Sequence, residues 1–291
     1  MEKVQEAKEI LKKVRRLEIK TRRLSNHIFA GEYHSHFKGR GMAFSEVRKY
    51  QYGDEVRSIH WNVTAKLNEA HVKVFEEERE LTVMLMVDVS ASGLFGSNAA
   101  FKREMMTEIS AVLAFSAVQN NDKVGLMLFS DQIELYVPPR KGRRHILRII
   151  RELIEYEPKS LKTDIGMALR HLNNVLKRKS IVFVLSDFQD KNYGDALSIA
   201  ARKHDITGIR LFDQAETAIP NLGLVPIKDG ESGQTLLVNT SSKTVRMKLQ
   251  KDFRDYADYF EDKFLKSGAG KVSCRTDQSY VNKLMAYFKP R

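Results

Sequence analysis

Leu81-Thr82-Val83-Met84-Leu85-Met86-Val87 runs almost without a polar break into Asp88-Val89-Ser90-Ala91-Ser92. A strand that is apolar at every position is covered on both faces, the condition of parallel strands in α/β proteins. From residue 80 onward, strand and helix patterns alternate, which predicts βαβ units around a mostly parallel sheet. A helix over 99–119 carries Phe101, Met105, Ile109, Val112, Leu113 and Ser116 on one side. Strands over 124–129 and 133–137 are separated by Ser130-Asp131-Gln132, a turn composition that predicts an antiparallel hairpin at the sheet edge, ended by Pro138-Pro139.

Helices follow over 142–155 and 165–178, the second marked by Ile165, Ala168, Leu169, Leu172, Val175 and Leu176 at helical spacing. A strand over 181–185, a helix over 193–203 and a strand over 206–212 complete the alternation. Beyond it the sequence predicts a hairpin of strands 222–228 and 235–239, a helix over 244–267, a strand over 271–275 and a last helix over 279–288. Ser267-Gly268-Ala269-Gly270-Lys271-Val272-Ser273 only mimics a phosphate-binding loop: Leu265 stands at the leading glycine and Val272 at the hydroxyl position.

Upstream, Val4, Ala7, Leu11, Val14 and Leu17 predict a helix over 3–28 whose other face is basic. Such a helix either meets a membrane surface or acidic partner, or packs with its charges in solvent. Residues 31–42 read as a glycine-bearing loop, in which His34 and His36 lack a third ligand for a transition metal. A strand over 44–50, a turn at Gly53-Asp54, a helix over 56–66 and a strand over 71–75 finish a small α+β region. The division expected is 1–75 for the N-terminal helix and this region, and 76–291 for the α/β domain with its C-terminal hairpin and helices.

The 291 residues carry a net charge of +12, with Cys274 the single cysteine. One cysteine excludes an internal disulfide and a thiolate zinc cluster. No apolar run reaches the length of a membrane span and the first residues do not resemble a signal peptide, so the expected location is cytoplasmic. Acidic runs such as Glu76-Glu77-Glu78 interrupt the basic excess, and no nucleic-acid recognition motif accompanies it. Arg140, Lys141, Arg143 and Arg144 cluster at a helix start, where positive charge opposes the macrodipole, either facing an acidic partner or simply solvated.

Three polar segments follow or open predicted elements: Asp88 to Ser92, Thr163-Asp164, and Ser186-Asp187. In an open α/β sheet, the carboxyl ends of the strands are where ligands bind. Two aspartates with three hydroxyls form a hard oxygen donor set suited to Mg²⁺ or Mn²⁺. Taken singly, each segment also serves as a local turn or a helix cap.

With Asp88, Ser90 and Ser92 in the first loop, Thr163 in a second and Asp187 in a third, the chain resembles a von Willebrand factor A-type domain over about residues 76–212. The resemblance implies a Rossmann-type sheet with helices on both faces and a metal-ion-dependent adhesion site formed by those five residues. The segment Arg48-Lys49-Tyr50-Gln51-Tyr52-Gly53-Asp54-Glu55-Val56-Arg57-Ser58-Ile59-His60-Trp61 resembles the signature of an uncharacterised bacterial family that precedes such a domain with it. This chain departs at His60, where the pattern has Asp. The family resemblance implies an adaptor or chaperone-like role beside a MoxR-type AAA+ ATPase.

Asp54, Arg57 and Trp61, at spacings of three and four, suit one face of a helix over 56–66 that docks a partner; the same residues suit a cap, an ion pair and a core indole, the reading that local structure favours. The leading functional expectation is a non-enzymatic, metal-dependent protein-interaction module that binds a partner's carboxylate. Alternatives are a Mg²⁺-dependent hydrolase or phosphatase, with Asp164 or Asp190 as base, and a nucleic-acid-binding protein acting through its basic surface.

Overall fold

Residues 43–76, 81–90, 99–217, 221–228 and 235–288 are described by the structure, a computed structural model. The expected helix over 3–28, the loop bearing His34 and His36, and Ser92 lie outside them. The chain divides into two compact units, one of residues 38–81 and one containing residues 82–291.

In the smaller unit, β1 (Ala43–Lys49) pairs antiparallel with β2 (His71–Glu76). Between them the sequence predicts one helix over 56–66, and the structure breaks it. A 3₁₀ turn, Val56–Ser58, is followed by extended Ile59, and α1 (Trp61–Leu67) begins afresh with His60 as its cap. The cause is pairing with β2: Ile59 bridges Val72, and the His60 amide donates to the His71 carbonyl at 2.7 Å. Two sheet contacts outweigh the intrinsic preference of a short helix, whose nucleation is itself unfavourable. Asp54, Arg57 and Trp61 therefore do not share one helical face.

The larger unit is built on six strands: β3 (Thr82–Asp88), β4 (Lys123–Phe129), β5 (Ile133–Arg140), β6 (Ile181–Ser186), β7 (Asp205–Phe212) and β10 (Gly270–Arg275). Their spatial order is β10-β7-β6-β3-β4-β5, parallel throughout except where β5 returns beside β4. The mostly parallel α/β sheet expected from the alternating pattern is thus present. A separate hairpin joins β8 (Leu224–Lys228) to β9 (Thr235–Asn239).

Helices cover both faces of the sheet. Met84, Met86, Met127, Phe129, Val182 and Val184 enter a core with α4 (Ile165–Val175), α5 (Gly194–Lys203) and α7 (Lys243–Ser267). On the opposite face, Phe183 meets Phe288 of α8 (Tyr280–Phe288) at 6.1 Å, and the Tyr280 hydroxyl donates to Glu108 of α2 (Ala99–Gln119). The remaining helices are α3 (Arg143–Glu155) and the short α6 (Gln214–Thr217), which the sequence pattern did not indicate. Each fully buried Leu, Val or Met contributes on the order of 1.5–3 kcal/mol.

Pro138-Pro139 does not end β5, which continues to Arg140. β5 is the outermost strand, so an amide can be missing on its open side, and a register shift opposite, between Val124 and Leu126, absorbs the other. α4 stops at Val175 instead of reaching 178, with the Leu176 amide capping back to Leu172. The phosphate-loop mimic runs in the wrong order, helix to strand: Gly268 is the left-handed cap of α7 and Gly270 opens β10. No helix among the described residues is long and apolar enough to cross a membrane.

Candidate metal centre

β3 and β6 are neighbours whose onward connections run to opposite sides of the sheet, to β4 and to β7. A crevice opens outside the carboxyl ends of two such strands. Asp88 closes β3 and Asp187 directly follows β6, so the topology delivers both carboxylates to that point. Both are buried.

Asp88 is held by two donors: the Ser90 amide to Oδ1 at 2.9 Å and the Ser186 hydroxyl to Oδ2 at 2.6 Å. Burial, and next the charge of Asp187, push its carboxyl up to about 6 against the downward pull of these bonds. Ser90 is buried beside it, and a small cavity lined by Asp88, Ser90, Arg103 and Thr107 opens alongside.

Asp187 sits in a loop with unusual backbone. Phe188 takes a left-handed conformation, φ 56°, costly for a residue with a Cβ. Its ring is wedged against Tyr193, Phe260 and Phe264 at 5.7, 4.6 and 5.4 Å, and its amide donates to the Ser186 hydroxyl at 3.0 Å. The aromatic contacts offset the strain and fix the chain on either side of Asp187. The Asp187 Oδ1 accepts from the Gln189 amide at 3.3 Å, whereas Oδ2 is buried with no hydrogen-bond partner.

Two cations approach Asp187 from helix and strand. Lys102 of α2, only 1% exposed, places Nζ 3.6 Å from Asp187 Oδ2 and 2.5 Å from Glu216 Oε1. Arg210 of β7 donates from Nε to the Asp187 carbonyl at 3.3 Å and stacks over Phe212 and Phe253 at 5.0 and 4.7 Å. Glu216 also accepts from the Asp213 amide at 2.9 Å and from Gln189 Nε2 at 3.4 Å. Burial raises its carboxyl, against the pull of Lys102.

Thr163 is half-buried in the loop that precedes α4. That loop is fastened to the same sheet edge twice: the Asp164 amide donates to the Ser130 carbonyl, past β4, and the Ile165 amide to Asp190 Oδ2, past β6, both at 3.1 Å. Asp164 caps α4, Oδ1 accepting from the Met167 amide at 2.6 Å. Asp190 accepts from the Asn192 amide as well, at 2.7 Å. Both carboxylates suggested as a hydrolytic base are thus engaged in shaping loops.

The donor set suits a hard cation. Two buried carboxylates repel one another, a hydroxyl lies buried beside them, and one carboxylate oxygen lacks a hydrogen bond; such an arrangement is stabilised by positive charge. Among the described residues, no three His, Cys, Asp or Glu side chains gather as a metal cluster, so coordination here would draw on hydroxyls.

In the smaller unit, Arg48 grips Asp54 through two bonds of 2.8 and 2.7 Å, and the Gln51 amide adds a third at 2.8 Å. This pairing holds the Asp54 carboxyl below its ordinary value. Asp54 organises the Gly53 turn. Arg57 is exposed in the 3₁₀ turn, and Trp61 is 66% exposed, which overturns its reading as a core indole.

Sequence reasoning missed Lys102, Glu216 and Arg210. The signal was present for two of them: Lys102 falls on the same helical stripe as Met105, Met106 and Ile109, and Arg210 interrupts a strand otherwise apolar from Ile209 to Phe212. Glu216 gave none, because its short helix carries no periodicity.

Comparison with known proteins gives relatives and folds. An uncharacterized protein of Mycobacterium tuberculosis is 27% identical over 285 residues, covering 96% of this chain and 88% of its own length. The fold is similar to that of the conserved hypothetical protein BatB from Bacteroides thetaiotaomicron, at 14% identity and a TM-score of 0.46 over 71% of this chain and 96% of that one. The SpRpn10 VWA domain is likewise similar, at 14% identity and a TM-score of 0.33 over 71% and 94%. A family model described as "Protein of unknown function DUF58" matches residues 46–258, most of the chain, and the protein belongs to that family.

Proposed function

We propose that this chain is a non-enzymatic protein-interaction module whose contact depends on Mg²⁺ or Mn²⁺ held by Asp88, Ser90, Ser92, Thr163 and Asp187. The observation that carries the reading is the Asp187 Oδ2 atom, buried without a hydrogen bond at the crevice where the connections that leave β3 and β6 part to opposite sides. Bound there, a divalent cation supplies a coordination position that a carboxylate of a partner protein completes. Asp88 and Asp187 contribute the charge, Ser186 and the Ser90 amide orient Asp88, and the Phe188 wedge keeps Asp187 in place. The engagement of Asp164 and Asp190 with backbone amides favours binding over hydrolysis. The family resemblance extends the reading to a cytoplasmic adaptor of a MoxR-type AAA+ ATPase.

Thermal unfolding with Mg²⁺ and with EDTA tests the metal. At a hundredfold excess over Kd, Mg²⁺ should add about 2.7 kcal/mol to wild-type stability and nothing to Asp88→Ala or Asp187→Ala. No shift in wild type, or an equal shift in Asp88→Ala, sinks the reading. Co-purification of the MoxR-type ATPase of the same bacterium should require Mg²⁺; capture that persists in EDTA moves the interface away from these residues.

A further inference from the structure

Lys102 is the group at this edge that neither the resemblance nor the donor set accounts for. Lysine is almost never fully buried unless paired, because removing an ammonium from water costs several kcal/mol. Here the side chain reaches from α2 to lie between two carboxylates on different elements, Glu216 at 2.5 Å and Asp187 at 3.6 Å. The shorter contact belongs to Glu216. The longer one faces the oxygen of Asp187 that has no hydrogen bond and that the proposed function assigns to the cation. An ammonium in that position neutralises Asp187 without filling a coordination sphere.

We infer that Lys102 is a resident cation of the site: it balances Asp187 and Glu216 when no divalent ion is present, and it competes with a divalent ion for Asp187. Glu216 is what makes the exchange feasible, since the ammonium keeps a buried carboxylate partner after it yields Asp187. Gln189, which donates to Glu216 from its side chain and to Asp187 from its backbone, couples the two carboxylates. The inference rests on the proposed metal site and adds that the chain lowers its own affinity for the metal.

The test is Mn²⁺ titration of the full chain, followed by the electron paramagnetic resonance of free Mn²⁺, in wild type, Lys102→Met, Lys102→Gln and the exposed control Lys191→Gln. Removing a unit charge close to a buried ligand should tighten Mn²⁺ binding about tenfold or more in both Lys102 variants. Lys191→Gln should leave it within about twofold, since an exposed charge is screened. Lys102 variants that fold yet bind no tighter than wild type overturn the inference while leaving the metal site standing, as does an equal gain in Lys191→Gln. Absence of Mn²⁺ binding in all four proteins overturns the metal site itself, and the competition with it. Should Lys102→Met not fold, Lys102→Gln, which keeps a hydrogen-bonding end toward Glu216, carries the same comparison. A cycle in EDTA gives an independent readout: Lys102→Met should lower the Tm far more in wild type than in Asp187→Asn, and equal losses count against the pairing.

Discussion

His204 caps the end of α5 with its side chain buried and both ring nitrogens lacking hydrogen-bond partners. Burial first, then the neighbouring Lys203 charge, bring its imidazole down from 6.5 to about 4, against a weaker opposing effect of Asp205. A group with a depressed value is neutral in the fold and protonates first in the unfolded chain. Its contribution is therefore complete above 6.5 and lost as pH falls from there toward 4. The full gap corresponds to at most about 3 kcal/mol. His204→Leu should flatten that part of the stability profile measured by urea unfolding, and an unchanged slope would refute the assignment. At this scale the sequence was partly legible: Asp88 and Asp187 stood out because each directly follows an apolar strand. Asp54 and Trp61 misled because spacings of three and four describe a helical face only if the helix is continuous, and the pairing of Ile59 with Val72 breaks it.

At the scale of elements, α7 lies so close to β7 that a side chain on Gly208 has no room. A Cβ there would come within 2.5 Å of the Phe264 ring and 2.9 Å of the Phe260 ring. Those rings also buttress Phe188, so the packing of α7 on β7 bears on the loop of Asp187. Gly208→Val should cost about 1–3 kcal/mol by overpacking, read as a lower urea midpoint at unchanged slope, and a wild-type midpoint would show that α7 can retreat. The strands and helices of the larger unit were largely readable from periodicity because burial imposes it. What escaped notice depended on position within the sheet: β5 tolerates Pro138-Pro139 because it is outermost, a fact of topology and not of local sequence.

For the molecule as a whole, the chain divides into two compact units. On the smaller, Tyr52, Val56, Trp61 and Leu67 are all exposed. Trp61 is the single tryptophan, so tryptophan fluorescence reports on that unit alone. Its emission should resemble that of indole in water and be quenched readily by acrylamide, and Trp61→Ala should change stability by less than about 0.5 kcal/mol. A blue-shifted, unquenched signal would mean that the indole is covered in solution.

The paired prolines of β5 have one more implication, for behaviour at high concentration. An outermost strand with free amide hydrogens is a template on which other chains can add strands and aggregate. One of the two prolines turns its nitrogen to the open side, so the outward row of amide donors is broken in the last part of β5. Fibril-like growth from this border of the sheet is therefore disfavoured by the covalent structure of the chain itself.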